Sequence, residues 1–201
     1  TSFNRVSIDL TALCYNYRLL QEQAKEAAFL AMVKADGYGH GMVECAHALT
    51  KSGCTVFGVA ELPEAVSLRK SGLSGEIYSM VGFNPADAHY FIESKITPVV
   101  YDLAGTEALS KAAEQAGSSI GVHVKVDTGM SRLGVQLDEV DELLRAIERA
   151  PGIYLAGMAS HFPCADDAAS ATTGQCYERF KEFQEHLPAG ISLVKHIANS
   201  G

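Results

Sequence analysis

Short apolar segments alternate with helical segments along almost the whole chain. Seven segments that are apolar on both faces are predicted to be strands, at residues 29–34, 56–60, 77–81, 97–100, 120–126, 153–160 and 192–197. A first helix is predicted to follow Asp9 or Thr11, either of which can cap it, and to run to about residue 28. Further helices are predicted at residues 42–50, 63–71, 85–93, 106–116, 137–149 and 172–186. Strands apolar on both faces, each followed by a helix, indicate a parallel sheet.

Two α/β architectures fit this alternation, a doubly wound open sheet and a (β/α)8 barrel. Polar residues lie at the C-terminal ends of several predicted strands, among them Lys34, Asp127 and His161. Groups that converge from many successive strands favour a barrel. A doubly wound sheet places its site at one switch point, usually with a glycine fingerprint, and no Gly-x-Gly-x-x-Gly follows a strand here. We therefore predict an α/β fold, a TIM-type (β/α)8 barrel that is incomplete, with about seven strands present.

Composition excludes several classes of partner. The net charge of -8 over 201 residues argues against nucleic acid and anionic membranes. No segment approaches the roughly 20 apolar residues of a membrane span, and residues 1–5 lack a hydrophobic signal region. The five cysteines are an odd number without metal-like spacing, which indicates reduced thiols in a cytoplasmic protein without a metal site.

The stretch 33–41 reads Val-Lys-Ala-Asp-Gly-Tyr-Gly-His-Gly. An apolar run ends at Lys34, and a loop with three glycines separates that lysine from the next predicted helix. A lysine delivered by a strand to the rim of an α/β fold can form a Schiff base with an aldehyde cofactor. The ordinary alternative is a lysine that merely ends a strand beside a turn.

Three further strand ends carry polar groups. In the stretch 124–134, Val-Lys-Val-Asp-Thr-Gly-Met-Ser-Arg-Leu-Gly, a strand ends in Asp-Thr-Gly-Met and leads to Arg132. His161 follows the strand at 153–160, although a single histidine is usually structural. After the last strand, Ser200 offers a hydroxyl, and its amide and that of Gly201 can form an anion-binding nest.

The lysine stretch resembles the pyridoxal-phosphate attachment site of alanine racemases, and the stretch 124–134 is similar to that family's second signature. The resemblance extends from Val6 to Gly201. It implies pyridoxal 5′-phosphate-dependent racemisation of L- and D-alanine through a Lys34 aldimine. Lys34 is then also the acid or base on one face of the substrate α-carbon. The implied enzyme is a cytoplasmic isomerase and a homodimer that supplies D-alanine for peptidoglycan precursors, with a small amino acid as substrate.

The resemblance also implies which groups meet each part of the cofactor. Tyr38 and the 199–201 step meet the phosphate, Arg132 meets the phenolic oxygen and the substrate, and His161 lies against the pyridine ring. Lys125 stands where many members carry a lysine carbamylated by CO₂, which would orient Arg132; a plain strand lysine is the alternative. The implied cofactor-binding set is Lys34, Tyr38, Arg132, His161, Asn199, Ser200 and Gly201.

By the same resemblance, residues 1–10 are a strand of the C-terminal domain, and residues 11–201 are the truncated N-terminal barrel. The last barrel strand, the C-terminal β domain with its catalytic tyrosine, and the arginine at the pyridine nitrogen have no counterpart here. The isolated chain is therefore expected to be inactive. The alternatives are a racemase for serine or another amino acid, and a single-domain, non-enzymatic pyridoxal-phosphate-binding carrier. Amino-acid decarboxylases of this fold class lack the glycine-histidine loop.

Overall fold

The computed structural model describes residues 3–24, 27–187 and 190–200, which divide between two compact units, Thr1–Met80 and Val81–Gly201. The first unit contains α1 (Leu10–Ala24), β1 (Leu30–Met32), α2 (Lys34–Tyr38), α3 (Met42–Lys51), β2 (Val56–Val59), α4 (Leu62–Lys70) and β3 (Glu76–Ser79). The second contains a 3₁₀ turn (Pro85–Asp87), α5 (His89–Ser94), β4 (Thr97–Val100), α6 (Leu103–Gln115), β5 (Ile120–Lys125), α7 (Val140–Arg149), β6 (Ile153–Ala159), α8 (Thr172–Glu185) and β7 (Val194–His196).

The sheet of the first unit is parallel and follows chain order. β1 pairs with β2 and β2 pairs with β3, so that Ala31 lies opposite Phe57 and Phe57 opposite Ile77. Phe57, Ile77 and Leu68 of α4 are completely buried. Because helices separate the strands along the chain, every pairing has the strand–helix–strand connection that a parallel sheet requires.

Helix α1 begins at the predicted cap. Asp9 Oδ1 accepts hydrogen bonds from the backbone amides of Thr11 at 2.8 Å and Ala12 at 3.0 Å, which satisfies donors that a helix start leaves unpaired. The described helix covers Leu10–Ala24 and no longer includes Ala27, so it is shorter than the predicted run to about residue 28. The alternating run at residues 6–10 forms no β-ladder within the described part of the chain, because residues 4–9 are irregular and Leu10 is already helical. Its assignment to another domain stays a prediction.

The sheet of the second unit is also parallel. β4 pairs with β5, β5 with β6 and β6 with β7, and the β5–β6 register shifts between Val122 and His123. The core contains Val99, Val122 and Met158 from three of these strands. None of the described helices is long and apolar enough to span a membrane.

Each of the seven predicted barrel strands and each predicted helix has a counterpart, with ends that move by a few residues. The predicted helix at 85–93 is divided into the 3₁₀ turn and α5. Asn84 caps the 3₁₀ turn by accepting from the Ala86 amide at 3.1 Å. The sequence did not predict α2, because its backbone is not that of an ordinary helix.

Candidate active site

Lys34 lies immediately beyond the sheet pairing of β1. The Val33 amide still donates to the Gly58 carbonyl of β2 at 2.9 Å, and the chain then enters α2. Ala35, Asp36 and Gly37 have φ values of 51°, 53° and 63° with ψ values of 51°, 46° and 37°. These are left-handed helical angles, so α2 is a single left-handed turn that begins at the predicted cofactor lysine.

This left-handed turn contains residues that ordinarily avoid such a backbone. Ala35, Asp36 and Tyr38 all have positive φ, and each L-residue in that conformation costs roughly 1–2 kcal/mol. Gly37 adopts it without this penalty. A side chain at Gly37 would also lie 3.3 Å from the backbone nitrogen of Met42, so glycine suits the space as well.

Two carboxylates hold the turn, one from Glu64 outside it and one from Asp36 within it. Glu64 Oε1 accepts from the Ala35 amide at 2.6 Å, and Asp36 Oδ1 accepts from the Met42 amide at 2.9 Å. The Asp36 carbonyl also accepts from the Gly41 amide at 2.8 Å. The Glu64 bond fixes the strained backbone from outside the turn, and the Asp36 bonds tie the turn to the segment that follows; surrounding contacts of this kind let such conformations persist in folded proteins.

The turn presents Lys34 and Tyr38 together. Lys34 is half-buried and its Nζ lies 5.8 Å from the centre of the Tyr38 ring, at the outer limit of a cation–π contact. The Tyr38 side chain is 60% exposed. The Tyr38 ring is therefore accessible to a ligand, and Lys34 is partly exposed beside it.

In the second unit, a small, partly open cavity of about 10 Å³ lies beyond the ends of β5 and β6. It brings together three residues that the sequence predicted for one site, namely Lys125, Arg132 and His161. The remaining residues that line it are Val126, Asp127, Met130, Leu133 and Ser160.

Lys125 is a buried cation in this cavity wall. It is only 7% exposed. Burial is the main reason why its pKa is lowered, the nearby Arg132 guanidinium lowers the pKa further, and Asp127 opposes both. A lysine in this environment is biased toward the neutral, nucleophilic amine.

A compact loop carries Arg132 to the cavity. Asp127 Oδ1 accepts from the amides of Gly129 at 2.9 Å and Ser131 at 3.0 Å, and Oδ2 accepts from Gln136 Nε2 at 3.3 Å. Partial burial alone would raise the pKa of Asp127, but these hydrogen bonds together hold it below its ordinary value. The loop thus keeps a charged carboxylate two residues beyond the end of the β5–β6 pairing.

A pair of hydroxyls joins the ends of β5 and β6 beside the cavity. Thr128 Oγ1 and Ser160 Oγ lie 2.8 Å apart, and Ser160 Oγ donates to the Val126 carbonyl at 2.9 Å. Both side chains are buried. They fix the segment from which Asp127 and Arg132 extend.

The buried His123 and the half-buried His196 form a pair that the sequence did not predict, although both lie in predicted strands. His123 Nδ1 lies 3.0 Å from His196 Nε2. Burial lowers the pKa of His123 to about 3, with a contribution from His196, and lowers that of His196 to about 4, with a contribution from Lys125. The His123 ring passes over Gly157 of β6, where an added Cβ atom would clash with His123 Cε1. The pair is therefore neutral near pH 7.

The predicted phosphate-binding step at the end of the chain is only partly described. Asn199 Nδ2 donates to the Phe162 carbonyl at 3.1 Å, so the step is tied to the loop that follows His161. Ser200 is exposed, and neither residue lines the cavity. Gly201 lies outside the described residues.

Sequence reasoning did not find Glu64 or the histidine pair. The spacing Glu61-Leu-Pro-Glu64 is a readable capping box at the start of α4, and the structure contains it. The further bond of Glu64 to Ala35 and the contact between His123 and His196 each join residues that are far apart along the chain. Neither can therefore be predicted from the local sequence. Among the residues described, no cluster of His, Cys, Asp and Glu could hold a metal ion.

Solved structures support the fold class. Alanine racemase from Streptomyces coelicolor A3(2) matches with a TM-score of 0.91 and 35% identity, over 96% of this chain and 53% of that one. The alanine racemase from Bacillus anthracis with bound L-Ala-P matches with a TM-score of 0.89 and 28% identity, over 100% of this chain and 53% of that one. The prediction of an α/β fold, an incomplete TIM-type barrel, is confirmed.

Sequence relatives and a family model agree with the structures. The alanine racemase of Syntrophobacter fumaroxidans is 38% identical over 97% of this chain and 52% of its own length. That of a Geobacter species is 39% identical over 97% of this chain and 54% of its own length. The chain therefore spans about half the length of these relatives. The model of the alanine racemase N-terminal domain matches residues 8–201, and the chain belongs to the alanine racemase family.

Proposed function

We propose that this chain is the N-terminal part of an enzyme that interconverts L- and D-alanine with pyridoxal 5′-phosphate. The observation that carries the proposal is Lys34, half-buried at a strand end and held at the start of a tethered left-handed turn. Strained backbone conformations cluster at functional sites, and a lysine that is only a surface residue does not require one beside it.

The residues present fit the chemistry of that cofactor. Lys34 offers the primary amine that an aldehyde requires, and the Tyr38 hydroxyl and the Asn199-Ser200 step offer donors suited to a phosphate. Arg132 offers a planar cation suited to an anionic ring oxygen or a substrate carboxylate, and His161 offers a flat ring for stacking. When bound, the cofactor withdraws electrons from the substrate α-carbon.

The proposed work of Lys34 has two parts. It holds the cofactor covalently until an amino acid takes its place, and its released amine then removes or returns the α-proton on one face of the substrate. Racemisation needs an acid or base on each face. We assign the second group to the half of the family's length that this chain does not span, acting across a homodimer in the cytoplasm.

Lys125 is proposed to react with CO₂. A neutral amine can add to carbon dioxide and lose a proton, which gives a carbamate and converts a cation into an anion. The lowered pKa of Lys125 favours that step. The negative charge would then attract and orient the Arg132 guanidinium in place of the repulsion between two cations.

The test is the racemisation of D-alanine by the intact protein that carries this chain, supplied with pyridoxal phosphate. We expect L-alanine to form and the variant K34A to lose about a thousandfold or more in rate. Activity on serine that exceeds activity on alanine would change the substrate assignment. Unchanged racemisation by K34A would overturn the proposal.

A further inference from the structure

We propose that Glu64 is a positioning residue for Lys34, holding the left-handed turn α2 against the start of α4. The inference rests on the proposed role of Lys34, because it concerns how that lysine is presented. Glu64 itself does not belong to the cofactor-binding set that the sequence predicted.

Both carboxylate oxygens of Glu64 accept hydrogen bonds from backbone amides. Oε1 accepts from the Ala35 amide at 2.6 Å. Oε2 accepts from the Ala60 amide at 2.9 Å and the Glu61 amide at 3.2 Å. One half-buried side chain therefore joins the residue that follows Lys34 to the two residues that follow β2.

A helix cap alone would not require the first of these bonds. The reciprocal capping box at α4 is complete with the Glu61 side chain, the Glu64 side chain and their backbone partners. The bond to Ala35 reaches 29 residues back along the chain, to the first residue of the strained turn. It is the shortest of the three, and charge-assisted bonds are the strong ones.

The turn needs an anchor at this end because its own residues favour another backbone. Ala35 and Asp36 have φ values of 51° and 53°. The methyl side chain of Ala35 makes no hydrogen bond that would favour this left-handed region. The Asp36 side chain, within the turn, already accepts from the Met42 amide. Releasing Ala35 would let the backbone next to Lys34 move toward ordinary angles and redirect the lysine side chain.

The variants E64Q and E61A each remove one negative charge, so comparing them separates the tie to Ala35 from a general loss of charge. All three partners of Glu64 are backbone N–H donors. A glutamine offers one oxygen and one NH₂ group, so its NH₂ group would face one of these N–H donors and could not hydrogen-bond to it. The matched control is E61A, which breaks the same capping box but leaves the bond to Ala35 intact. If E64Q does not fold, E64D keeps the charge but is too short to join both loops.

The first measurement needs no cofactor. We expect hydrogen exchange at the Ala35 amide to rise about tenfold or more in E64Q, and to remain within about twofold of the wild type in E61A. Equal exchange in the two variants would overturn the inference, whether or not Lys34 binds pyridoxal phosphate.

The second measurement is the rate at which pyridoxal phosphate attaches to Lys34, trapped with borohydride and located by peptide mass. We expect E64Q to slow attachment about tenfold at matched thermal stability, with E61A near the wild type. Equal rates in both variants would overturn the inference. A wild-type label on another residue would instead overturn the proposed function, and the Ala35 exchange would still decide the role of Glu64.

Discussion

The left-handed turn α2 and the cavity beside Lys125 each present a lysine, but different forces hold the two regions in place. In the first unit, strained backbone and two carboxylate bonds, from Glu64 and Asp36, fix the approach to Lys34. In the second unit, Lys125 is buried in a strand end, with a neutral histidine pair and a hydroxyl pair nearby. The first region should therefore respond to backbone substitutions, and the second to pH and side-chain volume.

The largest expected effect is the pH dependence of the second unit. The pKa values of His123 and His196 are lowered to about 3 and about 4, whereas both titrate near 6.5 when unfolded. Below about pH 6.5 the unfolded chain therefore binds protons that the folded chain does not, and stability falls as pH falls. With both histidines the slope approaches roughly 2 kcal/mol per pH unit between pH 6 and 4.

Urea unfolding at several pH values measures this slope. Carboxylates such as Asp127 also lose stability in acid, so the matched comparison is the double variant H123Q/H196Q, which removes only the histidine contribution. A slope that is the same in both proteins would contradict the neutral histidine pair.

A smaller effect is expected at Gly157. The variant G157A places a methyl group against His123 Cε1 and 2.6 Å from the Val194 carbonyl. Overpacking of this kind costs about 1–3 kcal/mol. In the control G174A, within α8 of the same unit, the added carbon meets nothing within 4 Å, and the change should stabilise the helix by up to about 1 kcal/mol. If the urea midpoints of G157A and G174A shift equally, the His123 ring does not fill the space above Gly157.

The smallest effect tests the strain of the turn. The variant A35G removes the penalty of an L-residue at a φ of 51° and should stabilise the first unit by about 1 kcal/mol. In α1 the same exchange, A12G, should destabilise by up to about 1 kcal/mol, because glycine is a poor helix former. If the turn is strained, thermal unfolding shows a raised Tm for A35G and a lowered Tm for A12G. A lowered Tm in both variants would show that the turn is not strained.

The sequence predicted more of the second region than of the first. Lys125, Arg132 and His161 were expected to meet at strand ends, and they line one cavity because parallel strands bring their C-terminal ends to one edge. The glycines around Tyr38 indicated unusual backbone, but Ala35 and Asp36 carry no local sign of left-handed angles. Their conformation depends on Glu64, which becomes a neighbour only when β1 and β2 pair. The partnership of His123 with His196 likewise depends on strand order and on the space above Gly157.

We propose that Lys34 carries the cofactor, and not the buried Lys125, whose pKa is lowered. The most direct measurement is to treat the folded protein with pyridoxal phosphate, reduce it with borohydride and map the labelled peptide, with K34A as the control. The label is predicted on Lys34 and absent from K34A. A label that lies mainly on Lys125, or that persists in K34A at the wild-type level, would contradict the account.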